Sequence, residues 1–187
     1  MIIALGGKGG AGKSTVAKLL AQKLDFAHYS MGDLMRELAV KRCITILELN
    51  KQAEKDSTID KWLDKKQQVL GRTKDKFIID SRMGFLFIPH AIKIFLDVDD
   101  KTAAERIMQA PPRKGERRHA TVDDALKALC QRRKSEIKRL KKYYGVNPYD
   151  KRHYQLIIDT THLAPSQVQA KIFAYLKKRY VESIFSR

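Results

Sequence analysis

The stretch Gly6-Gly7-Lys8-Gly9-Gly10-Ala11-Gly12-Lys13-Ser14-Thr15 decides how this chain is read. Gly7 to Ser14 match the phosphate-loop pattern G-x-x-x-x-G-K-[ST] at every fixed position. Residues 1–5, Met-Ile-Ile-Ala-Leu, form a short apolar run of strand type just before it. After it, residues 15–24 place Val16, Leu19, Leu20 and Leu24 on one helical face. A strand that turns through glycines into a helix aims several backbone N–H groups and the positive helix end at one spot. Gly7, Lys8, Gly9, Gly10, Ala11, Gly12, Lys13, Ser14 and Thr15 are therefore candidate ATP-binding residues. The expected roles are Lys13 on the β- and γ-phosphates and the Ser14 hydroxyl on Mg²⁺. A glycine-rich turn that binds nothing would leave the agreement of pattern and context unexplained.

Outward from this loop the chain alternates. Strands are expected at residues 26–30, 76–80, 91–97 and 155–159. Helices are expected at 31–42, 44–54, 57–70, 101–108, 122–144 and 166–180. Strands separated by helices predict an α/β fold: three layers, α/β/α, around a five-stranded parallel sheet. Ligands of such a sheet gather at the carboxyl ends of its strands. Those ends are polar here. The second strand runs into Ser30-Met31-Gly32-Asp33-Leu34-Met35-Arg36, and the third ends in Asp80-Ser81-Arg82. Asp33 and Asp80 could each be a helix cap or a turn residue. Their joint position beside a phosphate loop makes them site candidates.

Bulk properties narrow the class further. The 187 residues suffice for a single domain, and the 43% hydrophobic fraction is that of a folded globular protein. No apolar run approaches the ~20 residues needed to span a bilayer, and a chain that starts directly on a strand leaves no room for a signal peptide. Cys43 and Cys130 lie far apart without CxxC spacing, so a disulfide framework is not expected and a reducing cytoplasm is. Lys+Arg number 38 against 21 Asp+Glu, a net charge of +17. That balance favours polyanionic partners, from nucleotides to nucleic acid. Because the basic residues are spread rather than blocked, a solvated basic surface around a phosphate cleft is preferred to a nucleic-acid face.

With these residues in view, Gly32-Asp33-Leu34-Met35-Arg36 resembles the G-D-[LI]-[FLM]-R element of nucleoside monophosphate kinases. The chain as a whole resembles the archaeal-type cytidylate kinases, relatives of adenylate kinase among the phosphate-loop kinases. The likeness spans about residues 1–177. It runs through Ile78-Ile79-Asp80-Ser81-Arg82, where the family has E-G-R, then Ala104-Glu105-Arg106-Ile107, Ser135-Glu136-Ile137-Lys138-Arg139 with Tyr144-Gly145-Val146, and Ile158-Asp159-Thr160-Thr161.

The resemblance implies ATP-dependent phosphorylation of CMP or dCMP by a monomer. Arg36 and Arg82 would grip the acceptor phosphate, with Asp33 beside them; guanidinium forks suit phosphate oxygens. Arg132, Glu136 and Arg139 share one helical face. On spacing alone an ordinary salt-bridged surface helix fits them equally. The resemblance makes them acceptor contacts, with Arg132, Arg139, Lys13 and Asp80 as the catalytic set. Ser14, and Asp33 through water, would hold Mg²⁺, while Asp80, one methylene shorter than the family's Glu, keeps a possible role on its water shell. Residues 31–75 would form an acceptor-binding helical subdomain and residues 109–121 a lid. Arg117 and Arg118 would reach the triphosphate, and Arg106 would lie near the adenine.

Neither spacing nor resemblance says which residues read the base. Asn50, Asp60 and Asp64 are candidates, though Asp60 and Asp64 could equally pair with neighbouring lysines. Trp62 is expected as a core or hinge anchor, and Arg133 and Lys138 as solvated. Lys8, the basic segment 113–119 and the high net charge depart from the family pattern. They leave two alternatives open: a kinase for AMP or UMP, or an RNA-associated ATPase or RNA-end kinase.

Overall fold

The computed structural model of the chain describes residues 1–111 and 118–180. Five parallel strands form one sheet: β1 (Ile2–Gly7), β2 (Ala27–Ser30), β3 (Phe77–Asp80), β4 (Ile92–Asp97) and β5 (Leu156–Asp159), in the order β2-β3-β1-β4-β5. Eight α-helices are described: α1 (Lys13–Leu24), α2 (Met31–Lys41), α3 (Ile46–Lys55), α4 (Thr58–Thr73), α5 (Gly84–Phe87), α6 (Asp100–Gln109), α7 (Val122–Tyr144) and α8 (Pro165–Arg179). The expected three-layer α/β fold is the one found.

Alternation along the strands builds the layers, because successive side chains point to opposite faces. Ile3 and Leu5 of β1, with Ile78, Ile94 and Leu96, pack on α1 and α8 through Val16, Leu20, Ile172 and Leu176. Ile2 and Ala4, with Phe77 and Ile79, pack on the opposite side against α2, α3 and α4 through Met31, Met35, Leu49 and Ile59. A third cluster, Met83, Phe85, Phe95, Leu140 and Tyr154, seats α5 and α7 on the β4 side of that second face. The α5 turn was not expected from sequence. Four residues carry too little periodicity to show, and Phe85 is fixed instead by stacking on His153 at 4.4 Å, a contact 68 residues away in the chain.

Local chemistry sets the helix starts that matter for the site. Ser30 at the end of β2 caps α2, its hydroxyl accepting from the Asp33 amide at 3.2 Å. Thr45 and Glu48 form a reciprocal capping box at α3, which starts that helix two residues later than the periodicity predicts. Helix α1 has no such cap. Its N-cap is Gly12, in left-handed conformation at φ 81°, so no side chain covers the first-turn N–H groups. Gly10, at φ 80°, faces α6 so closely that a Cβ would lie 2.7 Å from the Ala103 backbone.

Candidate active site

The register brings the strand ends together. Leu5 stands beside Asp80, and Asp80 beside Ser30, so the phosphate loop, the end of β3 and the start of α2 meet at one edge of the sheet. They open on a cleft of about 790 Å³ whose wall includes Gly9 to Val16, Arg36, Asp80 to Met83, Arg106, Arg118, Arg132, Glu136 and Arg139. Residues more than a hundred positions apart thus share one cavity.

On the loop side, Lys13 is half-buried and donates from Nζ to the Lys8 carbonyl at 2.7 Å. Burial pushes its ammonium down to about 8, although Asp80 nearby favours the charge. Ser14 Oγ donates to Asp80 Oδ2 at 2.5 Å. A hydroxyl next to a carboxylate is an all-oxygen pair of the kind a hard divalent cation takes. Among the described residues no three His, Cys, Asp or Glu side chains gather into a metal-ligand cluster.

Two of the candidates find charged partners of their own. Asp33 bonds the Arg36 guanidinium at 2.5 Å, one helical turn away, and Asp80 stands beside Ser14. Lys8 turns out of the cleft, its ammonium 2.8 Å from Asp97 and 3.0 Å from the Val98 carbonyl, while its amide donates to Leu96 O. Asp97 closes β4 and also receives Lys151 at 2.6 Å. These two ammoniums hold its carboxyl below the usual carboxylate range against the cost of burial.

On the opposite wall, Glu136 is the hub. It is 2% exposed, and its carboxylate takes Arg82 Nε at 2.5 Å, Arg132 Nε at 3.0 Å and the Tyr149 hydroxyl at 2.5 Å. Burial disfavours the charge, but the two guanidiniums and the phenol win, and the carboxyl is held near about 2. Glu136 is an anion, so an incoming phosphate would meet the arginines it holds. Arg82 Nε also donates to Tyr149 Oη at 3.3 Å. Tyr149 left no mark in the sequence reading, since it lies in a turn five residues beyond α7.

Arg139 is 7% exposed, lies beside Asp60 (Nε to Oδ2 3.2 Å) and donates to Asn50 Oδ1 at 3.3 Å. Asp60 therefore pairs with an arginine of α7, and Asp64 with the Tyr144 hydroxyl of α7, rather than with lysines of their own helix. Arg106 donates to the carbonyls of Thr160 and Thr161 at 2.7 and 3.2 Å, pinning the loop after β5 to the cleft edge. Arg133 is not simply solvated: both its Nη atoms grip Asp100, at 2.7 and 2.6 Å, and tie α7 to α6. Trp62 is 39% exposed under Lys66 and anchors no core. Arg118 and His119 line the cleft, whereas Arg117, with residues 112–116 of the expected lid, lies outside the described residues.

Comparison with known proteins gives the arrangement a family. Residues 2–162 match the model of the cytidylate kinase-like family. A cytidylate kinase of Natronomonas pharaonis is 38% identical over 174 residues, 92% of this chain and 87% of that protein. One of Sulfolobus acidocaldarius is 34% identical over the full length of both. Among solved structures, a shikimate kinase of Bacteroides thetaiotaomicron covers 95% of the chain with a TM-score of 0.65 at 14% identity, a likeness of fold alone. No helix among the described residues is long and apolar enough to cross a membrane. The phosphate loop and the arginine-lined wall thus stand in a chain matched over most of its length, and the chain belongs to the cytidylate kinase-like family.

Proposed function

We propose that the chain transfers the γ-phosphoryl group of ATP to CMP or dCMP, giving ADP and CDP or dCDP. One observation carries the reading: a single cleft has a phosphate loop on one wall and Arg36, Arg82, Arg132 and Arg139 on the others. A lone nucleotide would engage the loop and leave most of these arginines without a purpose. Two phosphorylated substrates, end to end, use both. The names of the relatives supply the pyrimidine monophosphate as acceptor.

The acceptor phosphate is already ionised near neutral pH, so no general base is required and the protein's work is alignment and charge neutralisation. Gly9 to Ser14 cradle the donor triphosphate, with Lys13 on its β- and γ-oxygens. Arg36 and Arg82 seat the acceptor phosphate, and Arg132 and Arg139 face the phosphoryl group in transit. Glu136 positions Arg82 and Arg132 for that task. Ser14 and, through water, Asp80 would hold a magnesium ion, which when bound neutralises phosphate charge. Residues 31–75 act as the acceptor-binding subdomain, and residues 109–121 close over the donor to exclude water. One chain supplies every group named, which supports a monomer as the working unit, and the two unpaired cysteines support a reducing, cytoplasmic setting.

The test is ADP release with Mg-ATP and a panel of CMP, dCMP, UMP, AMP, GMP and a 5′-hydroxyl RNA. Turnover concentrated on CMP or dCMP is expected. Turnover concentrated on AMP or UMP would overturn the acceptor assignment, and turnover with RNA alone would replace the reading with an RNA-end kinase.

A further inference from the structure

Helix α4 presents Asp60, Leu63, Asp64 and Gln67 to the cleft, the i, i+3, i+4, i+7 positions of a single face. Three of the four are polar and almost closed to solvent, at 5%, 8% and 2% exposure. Two carboxylates one turn apart repel, and burial makes their charges costly. Their protein partners satisfy only part of them. Asp60 has Arg139 beside it. Asp64 accepts from the Tyr144 hydroxyl through Oδ2, which leaves Oδ1 for another donor.

A relay fixes the orientation of Gln67. The Met83 amide donates to Ser81 Oγ at 3.1 Å, and Ser81 Oγ in turn donates to Gln67 Oε1 at 2.5 Å. With its oxygen taken, Gln67 offers its NH₂ group. Asn50, by contrast, is used at both ends, donating to Ile46 O at 2.8 Å and accepting from Arg139. One wall of the cleft therefore carries an acceptor, Asp64, and a donor, Gln67, less than one turn apart, with Leu63, Met35 and Ile46 as apolar neighbours.

We propose that this face of α4 reads the acceptor base: Asp64 accepts from an exocyclic amino group and Gln67 donates to the ring nitrogen beside it. The pattern selects a 4-aminopyrimidine over a 4-oxopyrimidine. Cytosine presents N4–H₂ as donor and N3 as acceptor. Uracil reverses both, setting O4 against the carboxylate and N3–H against the amide donor. Sites that hydrogen-bond a polar edge discriminate strongly, because the wrong edge leaves buried groups unpaired. The inference rests on the nucleoside monophosphate kinase reading and assigns its base specificity.

Asp64→Asn gives a directional test. The Tyr144 hydroxyl keeps an oxygen to donate to, so the new NH₂ is turned toward the base, where it suits O4 of uracil. The readout is the ratio of kcat/KM for CMP to that for UMP, each measured on one preparation, with KM for ATP as a check on the donor half. The ratio should fall at least 10-fold in Asp64→Asn, and also in Gln67→Leu, with KM for ATP unchanged. Tyr144→Phe keeps the carboxylate and should keep the preference for CMP.

Acidity gives a second readout on the unaltered protein. Burial raises the Asp64 carboxyl to about 6, with Asp60 of α4 adding to the rise and Tyr144 and Arg139 of α7 opposing it. Protonation makes the group a donor, so the CMP to UMP ratio should narrow as pH falls from 8 to 5.5. Both nucleotides carry the same phosphate, so its titration cancels in the ratio. If wild type prefers CMP but neither variant nor pH moves the ratio, the α4 assignment is wrong and the kinase reading stands. If wild type phosphorylates no pyrimidine monophosphate, the kinase reading itself has failed.

Discussion

Replacing Glu136 by Gln removes the one negative charge shared by Arg82 and Arg132 while keeping the size of the side chain. The fold holds this carboxyl near about 2, against 4.5 unperturbed, which corresponds to about 3 kcal/mol of coupling between its charge and the folded state. Deleting one member of a buried ion set costs about 3–5 kcal/mol. Arg82 and Arg132 keep 22% and 28% side-chain exposure in the cleft, so water recovers part of their solvation and the lower end applies. Glu136→Gln should therefore lose about 2–3 kcal/mol at pH 7, read as a lower midpoint in urea unfolding. The folded-state value lies below the unfolded one, so the contribution is complete above about pH 5 and is lost as pH falls. About half of it is gone near pH 3, and the two proteins should converge only as pH falls toward about 2. Inorganic phosphate at pH 7 should stabilise the variant more than wild type, because an anion between the arginines replaces the missing charge. Equal urea midpoints for the two proteins from pH 4 to pH 8 would refute the hub assignment of Glu136.

Three further outcomes are expected. Lys13→Ala should keep stability within about 1 kcal/mol and reduce kcat by several orders of magnitude, since in the proposed mechanism its ammonium serves the transferring phosphates; near-normal turnover would remove the loop from the mechanism. Because Lys13 titrates at about 8 in the buried site and a triphosphate favours its charged form, ATP binding at pH 8 should take up about half a proton at this group. Calorimetry in two buffers of different ionisation enthalpy measures this uptake, which should vanish near pH 6.5 at this residue and is absent if Lys13 does not meet the phosphates. Gly10→Ala must place a Cβ at positive φ and against Ala103, so about 2 kcal/mol or more of stability should be lost and the KM for ATP should rise. An unchanged melting curve would show that the loop relaxes away from α6.

Much of this was legible in the chain before any coordinates. The alternation of apolar runs with 3.6-period segments placed all five strands within a few residues, because burial on both faces of a parallel sheet leaves a contiguous signal. The phosphate loop was legible for the same reason: its N–H groups, glycines and Lys13 are neighbours in sequence, so a local pattern carries the chemistry. Arg82 and Arg36 could be placed at the cleft because strand ends of a parallel sheet gather on one side. Where sequence reasoning left a partner open or missed one, the deciding contact was distant. Asp33 and Asp80 were both candidates for the water shell of a cation on Ser14, and only the register of β1 against β3 sets Asp80 beside that hydroxyl, 66 residues away. Lys8 was open between a phosphate contact and solvent, and β4 ends in Asp97 beside it. Arg133 was assigned to solvent, yet α6 carries Asp100 to it across 33 residues.

The sequence by itself determined the layer architecture, the phosphate loop and the family, all of which depend on residues in local order. Tertiary structure alone decided the partners of the charges: Glu136 with Arg82, Asp60 with Arg139, Asp64 with Tyr144, and Ser81 turning Gln67 toward the cleft. The physical reason is distance dependence. A hydrogen bond or ion pair is settled by angstroms between side chains on different elements, and those separations exist only after the sheet register and the seating of α7 have fixed them.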